Sequence, residues 1–338
     1  MSLIRVLCAM GMAWGASGLA ASAPLSPWSS DAWLNVMFAR DSVRWRIPHV
    51  PNESYTLRGK DILSELSWKP LRSVGLEGGV RVPFAHPRLM AMVQGQVAMI
   101  YGGHCRDSDW WGPNFALEYS RSRADVSGWS ASGQAMLGYH LGTTKLSFVP
   151  LIGLDGAHLS LKERNMTQLF SLGRDSLTYY VDQHGVLTLI KGEIYAVVRP
   201  EKGHAGPVSS YAIDCTSALL GGELYAHPCE SLRLQLLGWG GLGTYHAEAD
   251  WMLREEFQHP KSFVHSAMVG TWSLEGGIYW QLTPRLGFNL RGGARQTSAG
   301  EGRERLNLVD DAGGTCFWYV RDISWKRGWV STGLTVTW

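Results

Sequence analysis

Segment after segment of this chain alternates apolar and polar residues at a period of two, and that alternation constrains the fold more than any other feature. Val74, Leu76, Gly78, Val80 and Val82 share one face, with Gly75, Glu77, Gly79 and Arg81 on the other. Trp272, Leu274, Gly276, Ile278, Trp280 and Leu282 alternate with Ser273, Glu275, Gly277, Tyr279 and Gln281. A β-sandwich alternates too, but here the polar face holds Glu, Arg and Gln at mid-strand, as a wet lumen does, and the other holds Trp and Tyr near strand ends. Short links at 85–88, 141–144, 227–230 and 283–285 alternate with long polar links near 47–58, 103–128, 164–210, 250–265 and 299–323. Tight turns at one end and long loops at the other are the membrane-barrel pattern. The spacing predicts strands over 31–46, 59–84, 89–102, 129–140, 145–163, 211–226, 231–249, 266–282, 286–298 and 324–338. The expected fold is all-β: a ten-stranded antiparallel transmembrane β-barrel. Inward Glu65, Lys69, Glu77, Arg81, Glu275 and Arg291 are expected to plug its narrow lumen with ion pairs. Within 164–210, Val186–Ile190 and Glu193–Val198 are expected to extend a hairpin beyond the membrane.

Residues 1–23 read as an export signal. Arg5 gives the positive end, Val6 to Leu19 is apolar and small, and Ala21-Ser22-Ala23 has the small-x-small cleavage form. Residues 24–338 then make one barrel domain. No later segment reaches the roughly 18 uncharged apolar residues a membrane helix needs. The 16 Trp and 40 Gly, with only 18% charged residues, are odd for a soluble enzyme and suit a barrel with aromatic girdles. The net charge of +2 decides nothing about an acidic partner, and no basic cluster with interleaved aromatics points to nucleic acid. Cys105, Cys215, Cys229 and Cys316 remain after the signal, without Cys-x-x-Cys or zinc spacing. A bridge among Cys105, Cys215 and Cys316 fits the topology, Cys229 lies in a periplasmic turn, and the pairing stays open.

The stretch Gly102-Gly103-His104-Cys105-Arg106-Asp107-Ser108-Asp109-Trp110-Trp111-Gly112 carries the chemistry. Two carboxylates one residue apart at a strand end can share a proton or polarise water; Asp and Gly also favour solvated turns. His104 beside them can join the two carboxylates in binding a cation, and a solvated loop histidine is the plainer reading; His259 and His265 fall in a long loop without ligand spacing. The Gly238–Gly243 run follows no strand-to-helix step, which excludes a phosphate loop. No metal or cofactor pattern is present.

Ten strands with Asp-x-Asp-Trp in the second long loop resemble the omptins, the outer-membrane aspartyl proteases. Ser64-Glu65-Leu66-Ser67-Trp68-Lys69, Thr283-Pro284-Arg285 and Gly333-Leu334-Thr335-Val336-Thr337-Trp338 resemble omptin segments in the same order. Leu57–Leu66, Asp107-Ser108-Asp109 and Glu118–Arg123 are similar to the omptin-like Protochlamydia outer membrane protein family. The resemblance implies export to the outer membrane of a Gram-negative cell, with the long loops outside. It also implies lipid and lipopolysaccharide around the wall, and an extracellular protein or peptide as partner.

Omptin catalysis sets an Asp-Asp pair against an Asp-x-His pair across the extracellular mouth, with the His as general base. Asp107 and Asp109 match the first pair. The second is expected in His246-Ala247-Glu248-Ala249-Asp250-Trp251-Met252-Leu253-Arg254, where one register gives Ala249 and Trp251 and the other gives Asp250 and Met252. Strand parity turns Ala247, Ala249 and Trp251 inward and His246, Glu248 and Asp250 outward, so His246 and Asp250 reach the site only through a bulge. Two readings stand: a non-proteolytic surface or narrow-pore protein, and an aspartyl endopeptidase using Asp107 and Asp109 with an unconventional second pair.

Overall fold

In hydrocarbon every backbone N–H and C=O needs a partner inside the protein, and alternating segments meet that need by pairing edge to edge until the last returns to the first. The structure, a computed structural model, describes residues 30–48, 62–84, 86–111, 117–143, 145–171, 178–181, 187–191, 203–309 and 315–338. The segment 1–23 lies outside the described residues. The strands are β1 (Asp31–Pro48), β2 (Ile62–Phe84), β3 (His86–Gly102), β4 (His104–Trp111), β5 (Leu117–Tyr139), β6 (Leu141–Gly142) and β7 (Leu146–Ser171). They continue with β8 (Thr178–Val181), β9 (Leu187–Lys191), β10 (His204–Cys229), β11 (Leu232–Trp251), β12 (Phe263–Gln281), β13 (Leu286–Asn307) and β14 (Thr315–Thr337). With β4 prolonging β3, ten antiparallel staves close a ring: β1, β2, β3–β4, β5, β7, β10, β11, β12, β13 and β14, which pairs back onto β1. The tiny β6 edges β7, and β8 pairs with β9 in a separate hairpin.

All ten expected strands are present, and most run further at the long-link end. The expected loop over 103–128 is mostly wall, because β4 pairs with both β2 and β5. The hairpin in 164–210 uses Leu187–Lys191 as foreseen, but its partner is the upstream Thr178–Val181; Glu193–Val198 lies outside the described residues. At the base the turns are tight. Thr283 shows why: its Oγ1 accepts a hydrogen bond from the Leu286 N–H at 3.0 Å, closing the β12–β13 link.

Outward positions form an apolar band. Phe38, Val74, Trp129, Leu154, Leu220, Leu242, Met268, Leu290 and Val330 belong to it and are exposed. Inside, the same span is filled by charge. Near the base Arg81 on β2 reaches across to Glu223 on β10 at 2.8 Å, and Arg233 meets Asp31 at 2.9 Å. Above them Arg291 on β13 holds Glu77 at 2.5 Å and also pairs with Glu275, with Trp33 under its guanidinium at 4.7 Å. Higher still, Arg295 grips Asp155 on β7 with two bonds of 2.9 and 2.7 Å. Asp41 accepts from Trp325 Nε1 at 2.9 Å, and Arg327 donates to Ser130 at 3.0 Å.

Two expected plug residues do not take part. Glu65 pairs with Arg46 outside the wall at 2.6 Å, and Lys69 is exposed. The reason is a bulge: Asp41 faces Leu71 but Val43 faces Trp68, so β2 carries one residue more than β1 between those pairs. One extra residue exchanges the faces. Below the bulge odd-numbered side chains of β2 point inward, and above it Ser64, Leu66 and Trp68 do.

Arg291→Met removes the cation between Glu77 and Glu275 and is expected to cost about 3–5 kcal/mol, the scale for leaving a buried charge unpaired. Replacing all three by apolar residues of similar volume is expected to be near neutral. Urea unfolding of the barrel refolded in detergent distinguishes the two.

Candidate functional site

The bulge in β2 has a counterpart in its neighbour. Even-numbered residues of β3, from Met90 to Ile100, face inward, yet in β4 the inward face begins with the odd-numbered Cys105. The change falls at Gly102-Gly103, beside the pairing break between Arg72–Gly102 and Ser73–Ile100. Gly103 has to be small: a Cβ there would lie 2.8 Å from the Pro70 carbonyl oxygen and 2.7 Å from a Leu71 methyl. Without this shift Asp107 and Asp109 would face outward. With it they stand on the inner wall of the rim, on a strand rather than the expected loop.

Across β4, Asp107 is in register with Leu66 and Asp109 with Ser64, and the Ser64 hydroxyl donates to Asp107 at 3.4 Å. A third inward carboxylate, Glu163 on β7, accepts from Trp68 Nε1 at 2.6 Å. Burial raises the Asp107 carboxyl well above the usual range, and the charges of Asp109 and Glu163 add to it, while Ser64 and the guanidinium of Arg254 oppose. Asp109 and Glu163 are raised as well, each first by burial. Below the carboxylates lies an aromatic block. Trp68 and Tyr211 meet edge to face at 4.6 Å, and Trp45 lies 6.2 Å from Trp68 and 5.8 Å from Phe263. The arrangement is an acidic cup over an aromatic floor.

The other sequence candidates are elsewhere. His246 pairs with Glu248 at 3.3 Å, and Asp250 pairs with His259 at 2.5 Å in the turn region beyond β11. Both lie on the face of β11 opposite the inward Tyr245, Ala247 and Ala249, so the structure does not bring His246 or Asp250 to Asp107 and Asp109. His104 is also separate, held by Asp125 at 3.5 Å and by Arg123 on the outer face of β4 and β5. The inward end of β11 bears Ala249 and Trp251, and Trp251 Nε1 donates to the Tyr211 hydroxyl at 2.7 Å.

Sequence reasoning missed a buried histidine. His265 sits in β12, not in a loop, with Nε2 3.1 Å from Glu304 of β13 and its ring between Trp45 at 4.8 Å and Phe263 at 4.9 Å. Neither His265 nor Glu304 has measurable access to solvent, at 0% and 1% exposure. A further register shift, between the Ser266 and Gly270 pairs, turns Glu304 inward. Cys105 and Cys215 are buried free thiols, and the Cys316 side chain lies outside the described residues. Among the described residues no group of three or more His, Cys, Asp and Glu is placed to hold a metal ion.

The profile of a family described as Protochlamydia outer membrane protein matches residues 34–337. No curated protein matches by sequence. Among solved structures, the outer membrane protease OmpT from Escherichia coli superposes with a TM-score of 0.70 at 11% identity, covering 94% of this chain and 99% of that one. That likeness shows the barrel fold alone. Ail, the attachment invasion locus protein of Yersinia pestis, reaches a TM-score of 0.25 at 8% identity, with 91% and 99% covered, too low to carry an argument.

A carboxyl whose folded pKa is raised favours the folded state most while it stays protonated. Stability therefore falls as pH climbs from the ordinary aspartate value of 3.8 toward the raised value. Asp107→Asn is expected to raise stability near neutral pH and to flatten this fall. Urea midpoints at about pH 4 and about pH 7, spanning the ordinary carboxylate range and neutrality, measure it; an unchanged slope would contradict the assignment.

Proposed function

This chain belongs to the Protochlamydia outer membrane protein family, an omptin-like group of outer-membrane barrels, and from that premise we propose that it is a closed-lumen surface protein. Its rim faces outward from the cell, and the cup around Asp107 and Asp109 binds a cationic segment of an extracellular protein or peptide without hydrolysing it. The observation that carries this reading is the inward end of β11. Ala249 and Trp251 occupy it, so no general base stands there, and Trp251 is fixed onto Tyr211. An aspartyl-type peptidase needs a group that takes a proton from water and returns it at working pH. Among the described residues three inward carboxyl groups stand together with Arg254 as their nearby guanidinium, and a cation set between them would draw them to the ionised form.

Passage of solutes fits the lumen poorly. Arg81–Glu223, Arg295–Asp155 and Arg327–Ser130 join strands on opposite sides of the ring, so side chains bridge the bore at several heights. One observation favours a second reading, an endopeptidase: His265 lies on β12, across the ring from β4. In this conformation it is sealed under Trp45 and Phe263.

Refolded protein is expected to bind a fluorescent arginine-rich peptide and leave it intact. Asp107→Asn with Asp109→Asn should weaken binding by about tenfold or more, the scale of a lost charged hydrogen bond. Cleavage abolished by both Asp107→Ala and His265→Asn would replace the proposal with the peptidase reading. Planar bilayers should show no single-channel steps. An epitope inserted after Gln258 should be reached by antibody on intact cells, which checks the orientation.

A further inference from the structure

Below the aromatic floor the ionic filling of the bore is uneven. Near the base Arg81 and Arg233 stand against Asp31 and Glu223, two against two. At the upper end Arg295 is matched by Asp155, and Arg327 by Asp41 at 3.6 Å. Between these levels Arg291 alone serves both Glu77 and Glu275. Buried His140, at the base, adds no charge near neutrality, because burial and the guanidinium of Arg81 lower its pKa to about 4. Among the described residues six carboxylates therefore face five guanidinium groups in this span. The surplus negative charge belongs to one level, that of Glu77 and Glu275. A buried charge without a counter-charge is costly.

At that level the bore contains a cavity of about 30 Å³, lined among others by Glu77, Gln96, Ser132 and Glu275. At roughly 10–15 Å³ per water-sized occupant, it has room for one small ion and a water. Glu77 and Gln96 are directly opposite each other on β2 and β3. The Gln96 amide is oriented by its Nε2, which donates to Ser132 Oγ at 2.7 Å. Gln96 Oε1 and Glu77 Oε2 are both buried without a hydrogen-bond partner, and Glu77 is only 6% exposed. Both bonds from Arg291 to Glu275 end on Oε1. Arg295 also borders the cavity, but its guanidinium is turned to the two oxygens of Asp155 at 2.9 and 2.7 Å. Surplus negative charge thus coincides with unpartnered carboxylate and amide oxygens, the donor set of a hard cation. Charge also fixes the valence. One monovalent ion brings the filling to neutrality, and a divalent ion would overshoot.

We propose that this cavity binds one sodium ion, held by Glu77 Oε2 and Gln96 Oε1 and taken up as the barrel closes. The ion supplies the balance that Arg291 leaves open and joins β2 to β3 on the inside of the wall.

The test refolds the full chain in detergent near neutral pH, exchanges sodium chloride for tetramethylammonium chloride at one ionic strength, and follows the unfolding temperature. Sodium is expected to raise it by about 2 °C for each tenfold increase once the site is filling, the size mass action gives a chain of this length. Glu77→Gln, which removes the surplus charge, should lose that dependence and be more stable than the natural sequence in tetramethylammonium. Gln96→Met, which removes an oxygen and no charge, should need about tenfold more sodium for the same rise. Asp214→Asn, an exposed carboxylate on the outer face of β10, should respond like the natural sequence. If Glu77→Gln does not refold, Gln96→Met against the natural sequence carries the comparison. Equal stability of the natural sequence in the two salts overturns the ion and assigns the balance to a proton on the Glu77 and Glu275 pair. A sodium rise that Gln96→Met or Glu77→Gln retains in full overturns the site.

Discussion

Pairing of β14 with β1, in register from Asp31–Thr337 to Arg44–Ser324, is the interaction on which the rest depends. An open edge would leave a row of peptide groups unpaired in hydrocarbon, at several kcal/mol each. Closure abolishes that cost and creates an interior that must be filled. Ten staves leave a bore narrow enough for side chains to bridge, and here the filling is ionic. Three of the guanidinium groups are each placed against a carboxylate and an aromatic face: Arg81 with Glu223 over Tyr225, Arg233 with Asp31 over Tyr279, Arg291 with Glu77 over Trp33. Such networks do not have to outperform an apolar core in stability. They fix one register, since sliding a strand by two residues would leave charges stranded in a medium that punishes them.

The filling also divides the molecule. From the base to the level of Asp41 and Arg327 the lumen is charged and bridged from wall to wall. Above that, Trp45, Trp68, Tyr211 and Phe263 make an aromatic layer, and only then come Asp107, Asp109 and Glu163. The aromatic floor keeps the carboxylates in a poorly solvated place, which is why burial leads the causes that raise them. Cup and plug therefore share a wall without sharing chemistry.

Most of the barrel was legible in the sequence because a period-two pattern reports faces directly. Glu77, Arg81, Glu275 and Arg291 were placed inside by parity alone, and inside they are. Parity fails wherever one residue is inserted, and it gives no warning. Glu65 and Lys69 were carried inward along β2 through a bulge that turns them out, and Glu304 was hidden in an expected loop that is wall. The Asp pair was found by its motif, not by its face. His265 left no sequence signal: a histidine next to a long polar link looks solvated until its partner, 39 residues later, is known. Glu163 was counted among strand residues, since nothing local links it to Trp68, 95 positions earlier.

The paired irregularities at Lys69–Leu71 and Gly102-Gly103 have a genetic meaning. They work as a frame shift in three dimensions: the wall below them is read in one phase and the wall above in the other. Each absorbs one extra residue, so that the side chains above it keep the face they would have in an unbroken strand. A lineage that lost one residue at each would restore strict alternation with Trp68, Asp107 and Asp109 still turned inward. Length can therefore vary at these two sites without changing what the rim shows its visitors, and a comparison of relatives in a fixed residue count would overlook their kinship.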